Sequence, residues 1–140
     1  MAVTVLNGPE GLLAAQGTRL GHSDWLTVDQ QRVDLFAEAT GTSPVGGAGA
    51  PEFLTLSLSN MFLPQIVEVT GFAMGVNYGT GEVRFVSPVP VGSRVRGAAE
   101  LTGVTEVKGG LQTTMTITIE VEGSNEPACV IDSISRWLNP

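Results

Sequence analysis

Residues 51–64, PEFLTLSLSNMFLP, carry apolar side chains in nearly every direction when they are wound at 3.6 residues per turn. The pattern predicts a helix over residues 52–63 that the rest of the protein must surround on all sides. Pro51 suits the first helical position, where its missing N–H costs no hydrogen bond, and Pro64 is predicted to end the helix. Such a helix spans only ~20 Å, well short of the ~30 Å hydrocarbon core of a membrane.

Most of the chain after this helix shows the β-branched alternation of half-buried strands, and residues 114–122 are the clearest case. The short connections between these segments predict antiparallel neighbours. The expected fold class is α+β, with one curved antiparallel sheet wrapped around a central buried helix. The predicted strands cover residues 69–78, 81–87, 93–108, 111–122 and 127–138, and the predicted turns cover 79–81, 88–92, 108–110 and 123–125.

The first fifty residues predict smaller elements. Residues 1–16 are weakly patterned and are expected to be loosely ordered. Residues 17–28 predict an entry strand that bends into a helix over 29–39, capped by Thr27 or Asp29 and ended by Gly41. Residues 42–50 are rich in glycine and predict a loop that leads into the central helix.

Length and composition predict a single domain over residues 1–140 and exclude several functions. The net charge of -7 provides no field for a nucleic acid backbone, so no nucleic acid partner is expected. The single cysteine, Cys129, excludes an internal disulfide, and with one histidine, His22, no metal site is expected. No signal peptide pattern or membrane-spanning segment is found, which predicts no membrane partner and a cytoplasmic location.

The sequence contains GHSDW at 21–25, FAEATG at 36–41, FLTLSL at 53–58, VNYG at 76–79, VRF at 83–85, PVPVGSRVR at 88–96, VEG at 121–123 and PAC at 127–129. Together and in this order, these segments resemble the MaoC-like hotdog family, which contains (R)-specific enoyl-thioester hydratases and dehydratases. The resemblance implies the hotdog fold and a dimer, formed with a second copy or with a MaoC-like homologue. It also implies an acyl-thioester pocket at the subunit interface, beneath the central helix. No cofactor is expected, and coenzyme A or phosphopantetheine would enter only as part of the substrate.

The same resemblance implies that the family's catalytic pair is missing. In active members an Asp directly follows the Ala-Thr-Gly and a His comes a few residues later. Here Gly41 is followed by Thr42, Ser43 and a glycine-rich run, and none of residues 42–51 titrates. The segment between Gly41 and Phe53 is also shorter than in active members and lacks the His-Gly that usually precedes the central helix.

The sequence still offers candidate site residues. Glu52 is the one acidic side chain near the family's active-site position and is the catalytic candidate, although the helix dipole alone favours an acid there. Backbone N–H groups of residues 52–54 would point at a thioester carbonyl. The substrate-binding candidates are Phe53, Leu54, Leu56, Asn60, Asn77 and Tyr78. The candidates for phosphate contact are Arg84, Arg94 and Arg96, which could instead pair with Glu82, Glu100 or Glu106.

Two functional hypotheses remain open at this point. In the favoured one, the protein binds an acyl-thioester or polyketide-like substrate and has been repurposed for another biosynthetic reaction. In the alternative, it is a non-catalytic subunit that completes a heterodimer with an active MaoC-like hydratase or dehydratase.

Overall fold

The computed structural model describes residues 3–43 and 49–140, and the glycine-rich segment 44–48 of the predicted loop lies outside the described residues. The described chain begins with short strands and two helices, continues with a central helix in two segments and a short strand, and ends with four long strands. In chain order they are β1 (Thr4–Asn7), α1 (Gly8–Ala15), β2 (Arg19–His22), β3 (Leu26–Thr27), α2 (Gln30–Thr40), α3 (Glu52–Ser57), α4 (Ser59–Ile66), β4 (Val67–Thr70), β5 (Met74–Phe85), β6 (Arg94–Val107), β7 (Gly110–Val121) and β8 (Pro127–Leu138).

One curved antiparallel sheet contains six of the strands, in the order β2-β6-β7-β8-β5, with β3 also paired to β6. Strands β6, β7 and β8 form a meander with nearly continuous register. Strict alternation along β7 places Met115, Ile117 and Ile119 on the inner face, where all three are buried. The predicted α+β class and curved antiparallel sheet are therefore confirmed.

The central helix packs on the inner face of this sheet through one stripe. Leu54, Leu58, Phe62 and Ile66 recur every fourth residue and are all at least 92% buried. The opposite stripe is open, because Phe53 is 66% and Met61 is 41% exposed. The prediction that protein surrounds the helix on all sides was wrong for the single chain.

The two segments of the helix meet at Leu58, which keeps right-handed helical backbone angles. The helix also continues past Pro64 to Ile66, so the prediction that Pro64 ends it was wrong. A proline inside a helix removes one backbone hydrogen bond, here to the carbonyl of Asn60. The Gln65 side chain donates to the Met61 carbonyl at 3.2 Å in the same turn.

The N-terminal segment is better ordered than the sequence predicts. Strand β1 pairs in parallel with β4, directly after the central helix. Leu12 of α1 is fully buried, and Leu6 is 7% exposed. The expectation of loose order missed this because β1 and α1 are stabilised by contacts with residues about 60 positions away rather than by their own pattern.

Helix α2 matches its prediction. The Asp29 carboxylate accepts a hydrogen bond from the backbone N–H of Arg32 at 2.9 Å, and Gly41 ends the helix with a left-handed φ of 69°. Asp29, rather than Thr27, is the cap.

Two predictions about the strands were wrong. Residues 79–81 form no turn, because β5 runs through them with two irregularities in its pairing to β8. The predicted strand over 69–78 is divided between β4 and β5, with Gly71 at a φ of 85° between them.

Strands β5 and β6 follow each other in sequence but are not neighbours, since β7 and β8 lie between them. Their connection, residues 86–93, therefore crosses one end of the sheet. Val89 in this connection is buried, and its carbonyl accepts a hydrogen bond from the Ala50 N–H at 2.8 Å. The crossing thereby holds the start of the central helix.

Gly97 of β6 allows the close approach of the helix, since a Cβ at this position would lie 2.9 Å from the Cβ of fully buried Phe62. We expect Gly97→Ala to destabilise the protein by about 1–3 kcal/mol through overpacking, and Phe62→Ala by about 3–5 kcal/mol through a cavity. Urea unfolding of the two single variants and the double variant measures both effects and their coupling.

Gly103→Ala on the same strand is the matched control, because its new Cβ would meet Thr114 only at an ordinary 3.6 Å. In the Phe62→Ala background the cost of Gly97→Ala should fall or disappear. Equal costs of Gly97→Ala in both backgrounds would contradict the contact.

Candidate functional site

A cavity of about 320 Å³ lies at the start of the central helix and is called the helix-start cavity below. It is bounded by the first turns of α3, the crossing connection and the first residues of β8. Thr55 is 4% exposed, and its hydroxyl makes no hydrogen bond within the described residues. The lining residues are Gly49, Ala50, Pro51, Glu52, Thr55, Phe85, Val86, Ser87, Pro88, Val89 and Ala128.

Glu52 is the one titratable residue in that lining. It occupies the first turn of α3, next to a helix start that carries partial positive charge. The backbone N–H of Leu54 donates to the Pro51 carbonyl at 3.1 Å, so a ligand oxygen has at most the N–H groups of Glu52 and Phe53 to use. The prediction of three available N–H groups was therefore too generous.

Cys129 follows Ala128 and is fully buried. Burial in apolar surroundings, together with the nearby negative charge of Glu52, raises the pKa of the Cys129 thiol from 9.0 to about 11. The thiol is thus neutral at physiological pH and is not a nucleophile for an acyl group.

A second cavity, of about 240 Å³, lies between the other end of the helix and the inner face of the sheet and is called the helix-end cavity below. Its walls are mostly apolar, with side chains from α4, β4, β5, β7 and β8. The lining residues are Ser59, Asn60, Leu63, Pro64, Val67, Val69, Asn77, Met115, Ile117, Ser133, Ser135 and Trp137.

The substrate-binding candidates are dispersed. Asn60 and Asn77 both line the helix-end cavity. Leu54 belongs to the buried stripe, whereas Phe53 is exposed with its ring 5.9 Å from that of Phe85. Tyr78 lies away from both cavities and stacks on the Arg136 guanidinium at 3.8 Å.

Leu56 is partly buried against the core and lines neither cavity.

The three arginines proposed for phosphate contact also line neither cavity. Arg84 pairs with Glu82 at 3.0 Å, as one alternative anticipated. Arg96 pairs with the facing Glu120 of β7 at 2.6 Å, and Arg94 pairs at 3.1 Å with Glu122, the residue after β7.

Arg96 also stacks on the Trp25 ring at 4.5 Å. Ion pairing and stacking explain where these arginine side chains lie. Their contact with a phosphate stays a prediction.

Sequence reasoning missed Ser133, Ser135 and Trp137. A signal was present, because counting every second residue of β8 forward from buried Cys129 and Ile131 places all three on the inner face of the sheet.

Solved structures establish the class of fold. The chain superposes on a MaoC-like dehydratase from Rhodospirillum rubrum with a TM-score of 0.67 at 18% identity, over 90% of this chain and 94% of that one. It superposes on one chain of the HadBC (3R-hydroxyacyl-ACP dehydratase) complex of Mycobacterium tuberculosis with a TM-score of 0.57 at 14% identity, over 87% of this chain and 96% of that one. The curved sheet around a helix is thus the hotdog fold.

Sequence relatives identify the family. The chain is 43% identical to 3-hydroxyacyl-thioester dehydratase Z of Mycobacterium tuberculosis over 141 aligned positions, 91% of this chain and 93% of the relative. It is 42% identical to nodulation protein N of Rhizobium leguminosarum bv. viciae, over 87% of this chain and 83% of the relative. The chain belongs to the MaoC-like hotdog family.

No family model matches the sequence. Within residues 3–43 and 49–140, no three His, Cys, Asp or Glu side chains are grouped closely enough to hold a metal ion. None of the helices described above is long and apolar enough to cross a membrane.

The raised pKa of Cys129 predicts a dependence of stability on pH. Below pH 9 the thiol keeps its proton in the folded and unfolded states, so this group has no effect. Between pH 9 and about 11 the unfolded state loses the proton first, and the free energy of unfolding should fall as pH rises.

Urea unfolding of the wild type and of Cys129→Ala at pH 8, 10 and 11 isolates this group from the other alkaline titrations. The wild type should lose stability relative to the variant as pH rises. A constant difference between the two proteins would show that the thiol titrates normally.

Proposed function

We propose that this protein binds an acyl thioester without hydrating it, with the thioester in the helix-start cavity and the acyl chain directed toward the helix-end cavity. The observation that carries the proposal is the pairing of a cavity that holds one carboxylate with a mostly apolar cavity along the same helix. The first suits a polar head and the second suits most of an acyl chain.

Hydration of an enoyl thioester needs two positioned groups. One takes a proton from the attacking water, and another delivers a proton to the α-carbon. The helix-start cavity offers Glu52 alone, and Cys129 beneath it stays protonated. Residues 42–51 contain no titratable side chain, so the segment that joins α2 to the central helix cannot provide the second group.

The alignments support a shortened segment. The match to the Mycobacterium tuberculosis relative has 141 positions but uses 91% of this chain, or about 127 residues. Roughly a dozen positions of the relative therefore have no counterpart here. We infer that most of them fall between Gly41 and Phe53, where active family members have their catalytic pair.

The remaining groups limit what the site can catalyse. The Glu52 carboxylate can take one proton and return it to another atom of the substrate, while helix N–H groups polarise the thioester carbonyl. A reaction that moves a single proton is therefore compatible with this site, and addition of water is not. In this proposal Glu52 is the catalytic residue of a repurposed reaction on an acyl or polyketide-like thioester.

We expect the purified protein to dehydrate a 3-hydroxyacyl-CoA, or hydrate crotonyl-CoA, at least ~10²-fold more slowly than the Mycobacterium tuberculosis relative, because each positioned acid or base typically provides ~10²–10⁴-fold. Calorimetry should nevertheless detect binding of the same thioesters. A rate near that of the relative would overturn the proposal, and loss of that rate in Glu52→Gln would identify Glu52 as the replacement group.

A segment exchange provides the positive control. Residues 42–51 are replaced by the corresponding, longer segment of the relative, and the reverse exchange is made in the relative. If the two cavities still bind the thioester productively, the first chimera gains dehydratase activity and the second loses it. A folded first chimera that neither binds nor converts the thioester would argue against a working thioester pocket.

A second candidate function, the non-catalytic subunit of a heterodimeric dehydratase, is favoured by exposed apolar surface. Phe53 and Met61 are open on the helix, and three more apolar side chains are exposed on β5, the edge strand of the sheet: Met74, Val76 and Tyr78. A long, apolar edge strand is usually covered by a partner. The structural similarity to the HadBC complex is compatible with a MaoC-like partner.

Native mass spectrometry of the protein alone distinguishes a homodimer from a subunit that needs a homologue. We expect a homodimer that Val76→Lys converts to monomer, because a charge on the exposed edge opposes strand pairing. Thr105→Lys, at an exposed position of β6, is the matched control. A wild-type monomer that dimerises only with a MaoC-like homologue would favour the second function.

A further inference from the structure

Thr55 is a buried hydroxyl residue in the lining of the helix-start cavity. It lies in the first segment of the central helix and is only 4% exposed. Two other hydroxyls on helices donate to the carbonyl four residues earlier, Ser57 to Phe53 at 2.7 Å and Thr40 to Phe36 at 2.9 Å. Within the described residues, the Thr55 hydroxyl makes neither this hydrogen bond nor any other.

The Thr55 hydroxyl is in contact with the open volume of the cavity. The carbonyl of Pro51, four residues earlier, already accepts the N–H groups of Leu54 and Thr55 at 3.1 and 3.3 Å. Across the described residues, no fully inaccessible side-chain oxygen lacks a hydrogen bond. Because the Thr55 oxygen has no such bond, it must be accessible, and the cavity that this residue lines provides the access. A molecule in the cavity can therefore reach the hydroxyl.

Three polar side chains line this cavity, and Thr55 is the one that can donate a hydrogen bond to a ligand. The Ser87 hydroxyl already donates to the Pro127 carbonyl at 2.7 Å. The ionised carboxylate of Glu52 can only accept. Residues three apart share a face of a helix, and side chains lean toward its N-terminus. Thr55 and Glu52 therefore face the same part of the cavity.

A neutral carbonyl is the ligand group that this arrangement favours. No lysine or arginine lines the cavity, so a phosphate or a carboxylate would lose its hydration beside Glu52 without a counter-charge. A carbonyl oxygen is uncharged and accepts a hydrogen bond from a hydroxyl. In an acyl thioester, the thioester carbonyl is such an acceptor at the junction between the polar head and the acyl chain.

We infer that Thr55 is a substrate-binding residue whose hydroxyl donates a hydrogen bond to the thioester carbonyl. The inference rests on the proposed function and names a contact within the same site. The hydrogen bond holds the carbonyl beside Glu52, the one group in the lining that can move a proton. It also polarises the carbonyl, which favours removal of a proton from the neighbouring carbon.

The test compares octanoyl-CoA with S-octyl-CoA by calorimetry. The second compound has the same length and keeps the amide carbonyls of the pantetheine arm, but a methylene group replaces its thioester carbonyl. We expect the wild type to prefer octanoyl-CoA, and Thr55→Val to reduce that preference roughly three- to tenfold, as the loss of one hydrogen bond predicts. Thr55→Ser should restore the preference. The melting temperature of Thr55→Val should not fall, because the hydroxyl has no partner among the described residues.

Isotope-edited infrared spectroscopy detects the hydrogen bond directly. Octanoyl-CoA is given a heavy-isotope label at the thioester carbonyl carbon, and its stretching frequency is measured in complexes with the wild type and with Thr55→Val. We expect the lower frequency in the wild-type complex, because a hydrogen bond weakens the carbonyl bond. A purely structural role of Thr55 would not produce this difference.

Ser57→Ala is the matched control, since it removes an exposed hydroxyl from the same helix outside the cavity. It should change neither the preference nor the frequency. Equal affinity of the wild type for both compounds, a preference that survives in Thr55→Val, or an equal loss of affinity for both compounds in that variant overturns this inference and leaves the proposed function standing. Failure of the wild type to bind octanoyl-CoA overturns the proposed function and this inference with it.

Discussion

The contact between Phe62 and Gly97 sets the distance between the central helix and the sheet. A side chain at position 97 would collide with Phe62 and move the helix away from the sheet, and a smaller residue at position 62 would leave a cavity. Close-packed cores tolerate neither change well. The helix is therefore fixed against the sheet at Phe62, in its second segment.

The two ends differ in the chemistry they present. At the start of the helix, the crossing connection from β5 to β6 covers the first turn and provides backbone groups, while Glu52 provides the one charge in the cavity. At the other end the sheet itself forms the wall, with Trp137 locked over Gly75. A molecule with a polar head and a largely apolar tail matches this gradient along one helix, which is the physical basis on which we propose a thioester ligand.

The proposed loss of the acid–base pair concerns the segment between α2 and the central helix rather than the sheet. Residues 49–51 line the helix-start cavity and Ala50 packs in the core, so a change in this segment would alter that cavity while the sheet stays in place. The exposed apolar stripe on the helix and the edge strand β5 is independent of that change, which keeps a role in assembly compatible with a lost or altered reaction.

Local sequence was sufficient for those elements whose determinants are local. The Asp29 cap and the left-handed Gly41 define α2, and the alternation of apolar residues defines β6, β7 and β8, because these signals act over a few neighbouring residues. The segment resemblance likewise identified the family, and the absence of its catalytic pair stays a prediction. Tertiary structure alone decided the rest. Strand β1 forms only against β4, β5 reaches the far edge of the sheet through a crossing that no local pattern encodes, and Pro64 lies inside a helix held by the sheet beneath it. The lining of the helix-end cavity was also decided by tertiary structure. Asn60, Asn77 and the serines of β8 are separated by up to 75 residues, and only strand register and helix position bring them together.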